Sequence, residues 1–254
     1  MSRPLLLALM LSMLACAAQE ARAQDLLVGP QPVPVQPAPL QPFIATYQVF
    51  HAGRELGEAT MQLVHVDGAR WRIDLGMKGH GLMRLTGLNL QQSTLFDSDG
   101  VDFRPLAQST VKRAFLSSRK TVGMYDWGRH VAHWTGDVRK ERTGPVALQP
   151  GDMSGLLIDL AVIRDAAPGR DLHYRFVDDG RVRDHDWVVA PQTETIAVGE
   201  LNYDAMRANR IQDGGDDTII WVASGVPTPI RILQREDGAD STDLRLVEYK
   251  GATQ

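Results

Sequence analysis

Cysteine is almost missing from this sequence, since Cys16 is the single one among 254 residues. A framework of disulfide bonds is therefore excluded, and a hydrophobic core must stabilise the fold. Strong charge of one sign is missing too, because the formal net charge is -4. The chain thus lacks the basic footprint of a nucleic-acid-binding protein. A hydrophobic fraction of 43% excludes disorder of the whole chain.

Long hydrophobic runs and catalytic motifs are also missing. After the N-terminal segment no stretch approaches 18 apolar residues, so the protein is not expected to be transmembrane. Ser154 lies one place too late for a G-x-S-x-G nucleophile elbow. The spacing of His, Asp and Glu fits neither a zinc nor a calcium site. We therefore predict no catalytic residue, no metal and no cofactor.

The first 23 residues resemble a secretory signal peptide. Arg3 supplies the positive charge, Leu5 to Ala18 is uncharged, and Ala21-Arg22-Ala23 offers a small-x-small cleavage site. This pattern predicts export to the periplasm. The alternative is an outer-membrane lipoprotein, because Met13-Leu14-Ala15-Cys16 loosely resembles a lipobox in which Cys16 is lipidated.

Proline is concentrated in the next segment. Six of the 14 prolines lie between Pro30 and Pro42, a composition that favours extended polyproline II and lacks backbone donors. We interpret residues 24–42 as a linker. Residues 43–254 then form a single β-rich domain.

Period-two alternation dominates that domain. Trp71, Ile73, Leu75 and Met77 alternate with polar residues and glycine, which is typical of a strand with one buried face. Asp-Gly pairs, as in Asp179-Gly180, separate such runs and favour hairpin turns. These patterns predict a mainly β protein with a meandering antiparallel sheet.

One segment, Asp152 to Asp165, breaks the alternation and predicts the single helix. Leu156, Leu157, Leu160 and Ile163 lie at helical spacings of three and four residues. Such a helix needs a sheet face on which to bury its apolar stripe. We therefore expect one amphipathic helix that packs on a strongly curved sheet, a half-barrel or open barrel.

Several short segments resemble an exported bacterial family called domain of unknown function 3108. They include Phe43-Ile-Ala-Thr-Tyr47, Gly100-Val-Asp-Phe-Arg-Pro105, Leu148-Gln-Pro-Gly-Asp152 and Pro229-Ile-Arg-Ile232. The resemblance runs from Phe43 to about Tyr249 and consists of turns, a helix start and strands. It implies an envelope protein with a curved antiparallel sheet, similar to the LolA/LolB-type half-barrels of lipoprotein carriers. It implies no catalytic residue.

These observations favour a non-enzymatic periplasmic protein. We expect it to bind an apolar or amphipathic envelope ligand, such as a lipid or lipoprotein, or a partner protein of the envelope. The alternatives are an envelope hydrolase whose site is not visible from spacing, and a structural assembly factor that adds a partner's strand to its sheet edge. Large or flexible apolar side chains are the candidates for a ligand cavity: Met61, Trp71, Met77, Met83 and Leu160.

The signal-peptide interpretation makes a direct prediction about the mature N-terminus. Intact mass spectrometry of the exported protein should give a chain that begins at Gln24, since cleavage follows Ala23. A chain that begins at a diacylglycerol-modified Cys16 would establish the lipoprotein alternative instead.

Overall fold

The computed structural model describes residues 39–80, 89–114, 117–212, 214 and 216–251. All of them belong to one compact unit, Pro37–Gln254. The predicted signal peptide, most of the predicted linker and the candidate Met83 lie outside the described residues. Leu40, which we had assigned to the linker, packs against the hydrophobic core.

The described residues form fifteen strands, one α-helix and one short 3-10 helix. The strands are β1 Phe43–His51, β2 Arg54–Asp67, β3 Arg70–Gly79, β4 Asn89–Ser98, β5 Phe103–Ala114, β6 Ser117–Asp126, β7 Val131–Gly136, β8 Val146–Ala147, β9 Asp152–Met153, β10 Asp171–Asp178, β11 Arg181–Val198, β12 Leu201–Ile211, β13 Asp217–Ala223, β14 Arg231–Glu236 and β15 Ala239–Gly251. The helix α1 is Gly155–Asp165, and the 3-10 helix is Lys140–Arg142.

All fifteen strands belong to one sheet. Its spatial order is β8-β7-β6-β5-β4-β3-β2-β1-β15-β14-β13-β12-β11-β10-β9. The sheet is open, because β8 and β9 are its two ends. The predicted antiparallel pairing is confirmed except at one end, where β9 pairs with β10 in parallel. The sheet consists of two meanders, which are joined where β1 pairs with β15. The hairpin turn between β10 and β11 has positive φ at Asp179 (50°) and Gly180 (68°), the backbone that an Asp-Gly pair tolerates.

The core lies on one face of this sheet, as the alternation predicts. In β2 the side chains of Ala59, Met61 and Leu63 are at most 2% exposed, and their neighbours along the strand are not buried. Tyr47 of β1 is fully buried, and its hydroxyl lies 2.9 Å from the carbonyl oxygen of Pro229, to which it donates. Strands from both halves of the chain therefore share a single core.

Helix α1 is shorter and more deeply embedded than the sequence predicts. Asp152 and Met153, placed in the helix by sequence, form β9, because they pair with Arg175 and Phe176 of β10. Instead of one apolar stripe, residues around most of the helix are buried. The buried ones are Leu156, Leu157, Ile158, Leu160, Ala161 and Val162.

The helix is embedded because it contacts strands from two distant parts of the sheet. It packs against β3, β4 and β5, and also against β10 and β13. Direct bonds join the same two regions. The hydroxyl of Tyr125 in β6 donates to the carbonyl oxygen of Val177 in β10 at 2.7 Å, and the side-chain amide of Gln108 in β5 donates to Asp178.

Within the described part of the chain, no helix is both long enough and apolar enough to cross a membrane.

Because α1 is embedded among strands, truncation of its buried side chains should lower the free energy of unfolding strongly. Leu157 is 0% exposed, so Leu157→Ala should lower the free energy of unfolding by about 2–5 kcal/mol. The matched control is Leu201→Ala, which should cost less than about 0.5 kcal/mol because Leu201 is 61% exposed. Urea denaturation measures both changes, and equal costs would contradict this position of the helix.

Candidate functional site

A cavity of about 360 Å³ lies between one side of α1 and the inner face of the sheet. Strands β3, β4 and β5 line one part of it, and strands β10 to β15 line the rest. Its volume is within the range of about 300–1,000 Å³ that is usual for small-molecule sites. The cavity is therefore large enough to be the candidate functional site.

Alternation along three strands decides which side chains reach this cavity. In β11 every second residue, Arg181, Arg183, His185 and Trp187, lines it. In β4 and β5 the side chains of Gln92, Thr94, Gln108 and Thr110 do the same. Successive side chains of a strand point to opposite faces, so each strand presents a whole row of such groups to the cavity. The interior is thus a mixture of apolar, neutral polar and charged groups.

The carboxyl group of Asp159 enters the cavity from α1. Burial raises its pKa to about 7, and the positive charge of Arg210 only partly opposes this shift. The predicted apolar stripe leaves Asp159 on the opposite side of the helix, which an amphipathic helix turns to water. This prediction was wrong, because that side of the helix lines the cavity beside the sheet.

Two other titratable groups line the same cavity. Burial raises the pKa of Asp178 to about 6, although a hydrogen bond from Gln108 works against this shift. Burial and the neighbouring Arg210 and Arg183 lower the pKa of His185 to about 4. The His185 ring stacks on Phe176 with the ring centroids 4.6 Å apart. At neutral pH the imidazole is therefore uncharged and forms part of an aromatic wall.

A second cavity of about 390 Å³ adjoins the first and is mainly apolar. Both cavities are lined by Met77, Leu90 and Thr242, so these residues mark the boundary between them. Val49 and Leu56 line the second cavity away from that boundary, and Lys112 lies there as well. The inner face of the sheet thus offers a polar volume next to an apolar one.

The candidate residues from sequence do not converge on one site. Met77 lines both adjoining cavities, whereas Leu160 lines a separate cavity near Leu40 and Pro227. Met61 is 0% exposed within the core, where its sulfur lies 3.7 Å from the hydroxyl of Thr228. Trp71 packs against the core edge and its ring lies 4.7 Å from that of His65. Their role in ligand binding stays a prediction.

Sequence reasoning missed the charged residues of the cavity, Asp159, Arg181, Arg183 and Arg210. One signal was available for Asp159, because it is a single carboxylate within the apolar run LLIDLAVI. The arginines gave no such signal. On a half-buried strand, charged residues that alternate with others normally face water.

Groups of three or more His, Cys, Asp or Glu side chains that could hold a metal ion do not occur in the described ranges. Ser154 of the cavity wall has its hydroxyl oxygen 2.9 Å from that of Thr94. This neighbour is another hydroxyl and not a general base.

The raised pKa of Asp159 predicts how stability depends on pH. The folded state holds this proton up to about pH 7, whereas the unfolded chain releases it near about pH 4. Below both values the group has no effect, and stability is lost as the pH rises through that window. Asp159→Asn should therefore stabilise the protein at pH 8 by about 1–3 kcal/mol relative to wild type, and by much less at pH 4.

Denaturation midpoints of both proteins at the two pH values test this prediction. Asp178 titrates in both proteins, so its contribution cancels in the difference. A constant difference between the variants from pH 4 to pH 8 would show that Asp159 keeps an ordinary pKa.

Comparison with known proteins agrees with this architecture. No curated protein matches the chain. A solved structure, the crystal structure of a beta-barrel-like protein of domain of unknown function DUF1849 from Brucella abortus, matches with a TM-score of 0.52 and 14% identity. The match covers 85% of this chain and 100% of that one, and it supports the fold alone. The model of the family described as "Protein of unknown function (DUF3108)" matches residues 46–245, and the chain therefore belongs to this family.

Proposed function

We propose that this protein is a non-enzymatic binding protein of the periplasm, which takes up an apolar or amphipathic molecule between α1 and the sheet. The observation that carries this proposal is the pair of adjoining cavities, of about 360 and 390 Å³, on the inner face of the sheet. Concave, partly apolar clefts of this size are the usual form of small-molecule sites. The periplasmic location is supported by the signal-like N-terminus.

A strongly curved sheet, the predicted half-barrel, is part of the same proposal. Helix α1 contacts β3 and β4 as well as β10 and β13, which lie on opposite sides of the β1–β15 pair in the strand order. Two hydrogen bonds also link these regions of the sheet: Tyr125 of β6 with Val177 of β10, and Gln108 of β5 with Asp178 of β10. A flat sheet could not bring these strands to one helix. Curvature in turn would give the cavities their walls.

Two alternative functions receive less support from the described residues. A serine hydrolase requires a general base beside its nucleophile, and the hydroxyl of Ser154 is bonded to that of Thr94. A structural factor that adds a partner's strand requires a long free edge. Here both ends of the sheet are strands of only two residues, β8 and β9, a form that native proteins use to protect sheet edges.

The binding proposal is tested with a neutral apolar fluorophore, N-phenyl-1-naphthylamine, whose emission rises in an apolar environment. We expect saturable binding to the folded protein. Met77→Glu places a charge at the boundary of both cavities and should weaken binding by about ten-fold or more. Circular dichroism and a thermal melt verify that the variant is folded.

Met124→Glu is the matched control, because Met124 is also on a strand but is 57% exposed. It should leave the affinity for the fluorophore unchanged. Equal weakening in both variants, or failure of the folded wild-type protein to bind this and other apolar probes, would contradict the proposed function and favour a protein partner instead.

A further inference from the structure

Three arginine side chains meet at the polar cavity. Arg181 and Arg183 come from β11, where they are two residues apart and therefore on one face. Arg210 comes from the adjacent strand β12. Guanidinium groups carry their charge at every physiological pH, so this part of the wall is permanently cationic.

The carboxylates of the described residues only partly balance these charges. Arg181 has Asp179 at 3.6 Å, but no described carboxylate lies within 4.0 Å of Arg183 or Arg210. Burial and the nearby Arg183 lower the pKa of both Arg181 and Arg210. Arg183 thus repels both of its neighbours on this wall, although Asp159 partly offsets the effect at Arg210. A further negative charge beside Arg183 would stabilise the wall.

Unused hydrogen-bond donors point in the same direction. The Nε atoms of Arg181 and Arg210 are buried and have no acceptor among the described residues. A buried donor without an acceptor destabilises a fold, so such atoms usually mark a missing partner. An anion with several oxygens would supply the acceptors that these donors lack, since guanidinium groups commonly bind carboxylate and phosphate.

The apolar cavity shares part of its lining with the polar one. Met77 and Leu90 line both volumes, and beyond them Val49 and Leu56 line the apolar one, with Glu58 and Lys112 also in its wall. A molecule that filled both volumes would therefore have one charged and one apolar end. The volume of about 390 Å³ is near the lower limit for small-molecule sites, which suits one hydrocarbon chain.

We propose that the ligand is a single-chain amphiphile with an anionic head, carboxylate or phosphate. The head binds at Arg183, between Arg181 and Arg210 on the cationic wall, while the chain occupies the apolar cavity. This inference rests on the proposed function and specifies the chemical class of its ligand. The arginines are binding residues here, and no covalent step is involved.

The test compares ligands that differ only in the head group. Dodecanoate, dodecyl phosphate and 1-dodecanol, each below its critical micelle concentration at pH 7.5, displace the neutral fluorophore from the full mature protein. At least one anion should bind about ten-fold or more tightly than the alcohol, since it gains charge-assisted hydrogen bonds. The order of the two anions identifies the head group.

Arg183→Gln then removes one cation from the site. Arg183 is exposed on its strand and has no ion pair among the described residues, so its loss should leave the fold intact. The variant should lose most of the preference for the anion while its affinity for dodecanol is unchanged. Arg183→Lys should keep most of that preference, and so should the control Arg129→Gln, whose side chain is 84% exposed in a turn.

The outcomes separate the two proposals. Equal affinity for the anions and the alcohol, or a preference that Arg183→Gln leaves intact, would overturn the anionic head group and preserve the apolar binding function. Failure of all three ligands and of the fluorophore to bind would overturn both.

Discussion

Burial of helix α1 by strands from distant parts of one sheet is the constraint on which the rest of the structure depends. A sheet of fifteen strands has an apolar face that it cannot cover by itself. Leu157 and Ile158 fill that face between β3, β4, β10 and β13, and the contacts across β5, β6 and β10 then follow. Without the helix, the two regions of the sheet would lose the surface that they share.

The same helix also contains a carboxyl group, that of Asp159, whose burial destabilises the fold. Leu157 and Asp159 are two residues apart, so one lies in the solid core while the other enters the cavity. A buried carboxyl is destabilising unless it is neutral or paired, and its raised pKa reflects that cost. An apolar residue would stabilise this position better. The polar cavity is therefore a feature that core stability alone does not explain.

The sequence predicts the local structure well, because it depends on neighbours along the chain. Alternation in β3 places Ile73 and Leu75 in the core, and the Asp-Gly pairs form the expected hairpins. Asp152 was assigned wrongly to the helix, because its pairing with β10 is a contact that local patterns do not encode. Arg183 and Asp159 were missed for a related reason. Whether a polar face belongs to open surface or to the wall of a cavity depends on which strands lie opposite, and that is a property of the whole sheet.

The pairing of β1 with β15 has a consequence for how the chain reaches its native state. Phe43 pairs with Gly251, so two strands in the middle of the sheet come from residues about 200 positions apart. Most other strand pairs are hairpins that can form as soon as both of their strands exist. The central pair forms only when a very long loop closes, which is entropically costly and raises the contact order. We therefore expect folding to be slow and limited by the pairing of β1 with β15, which joins two meanders that are already formed.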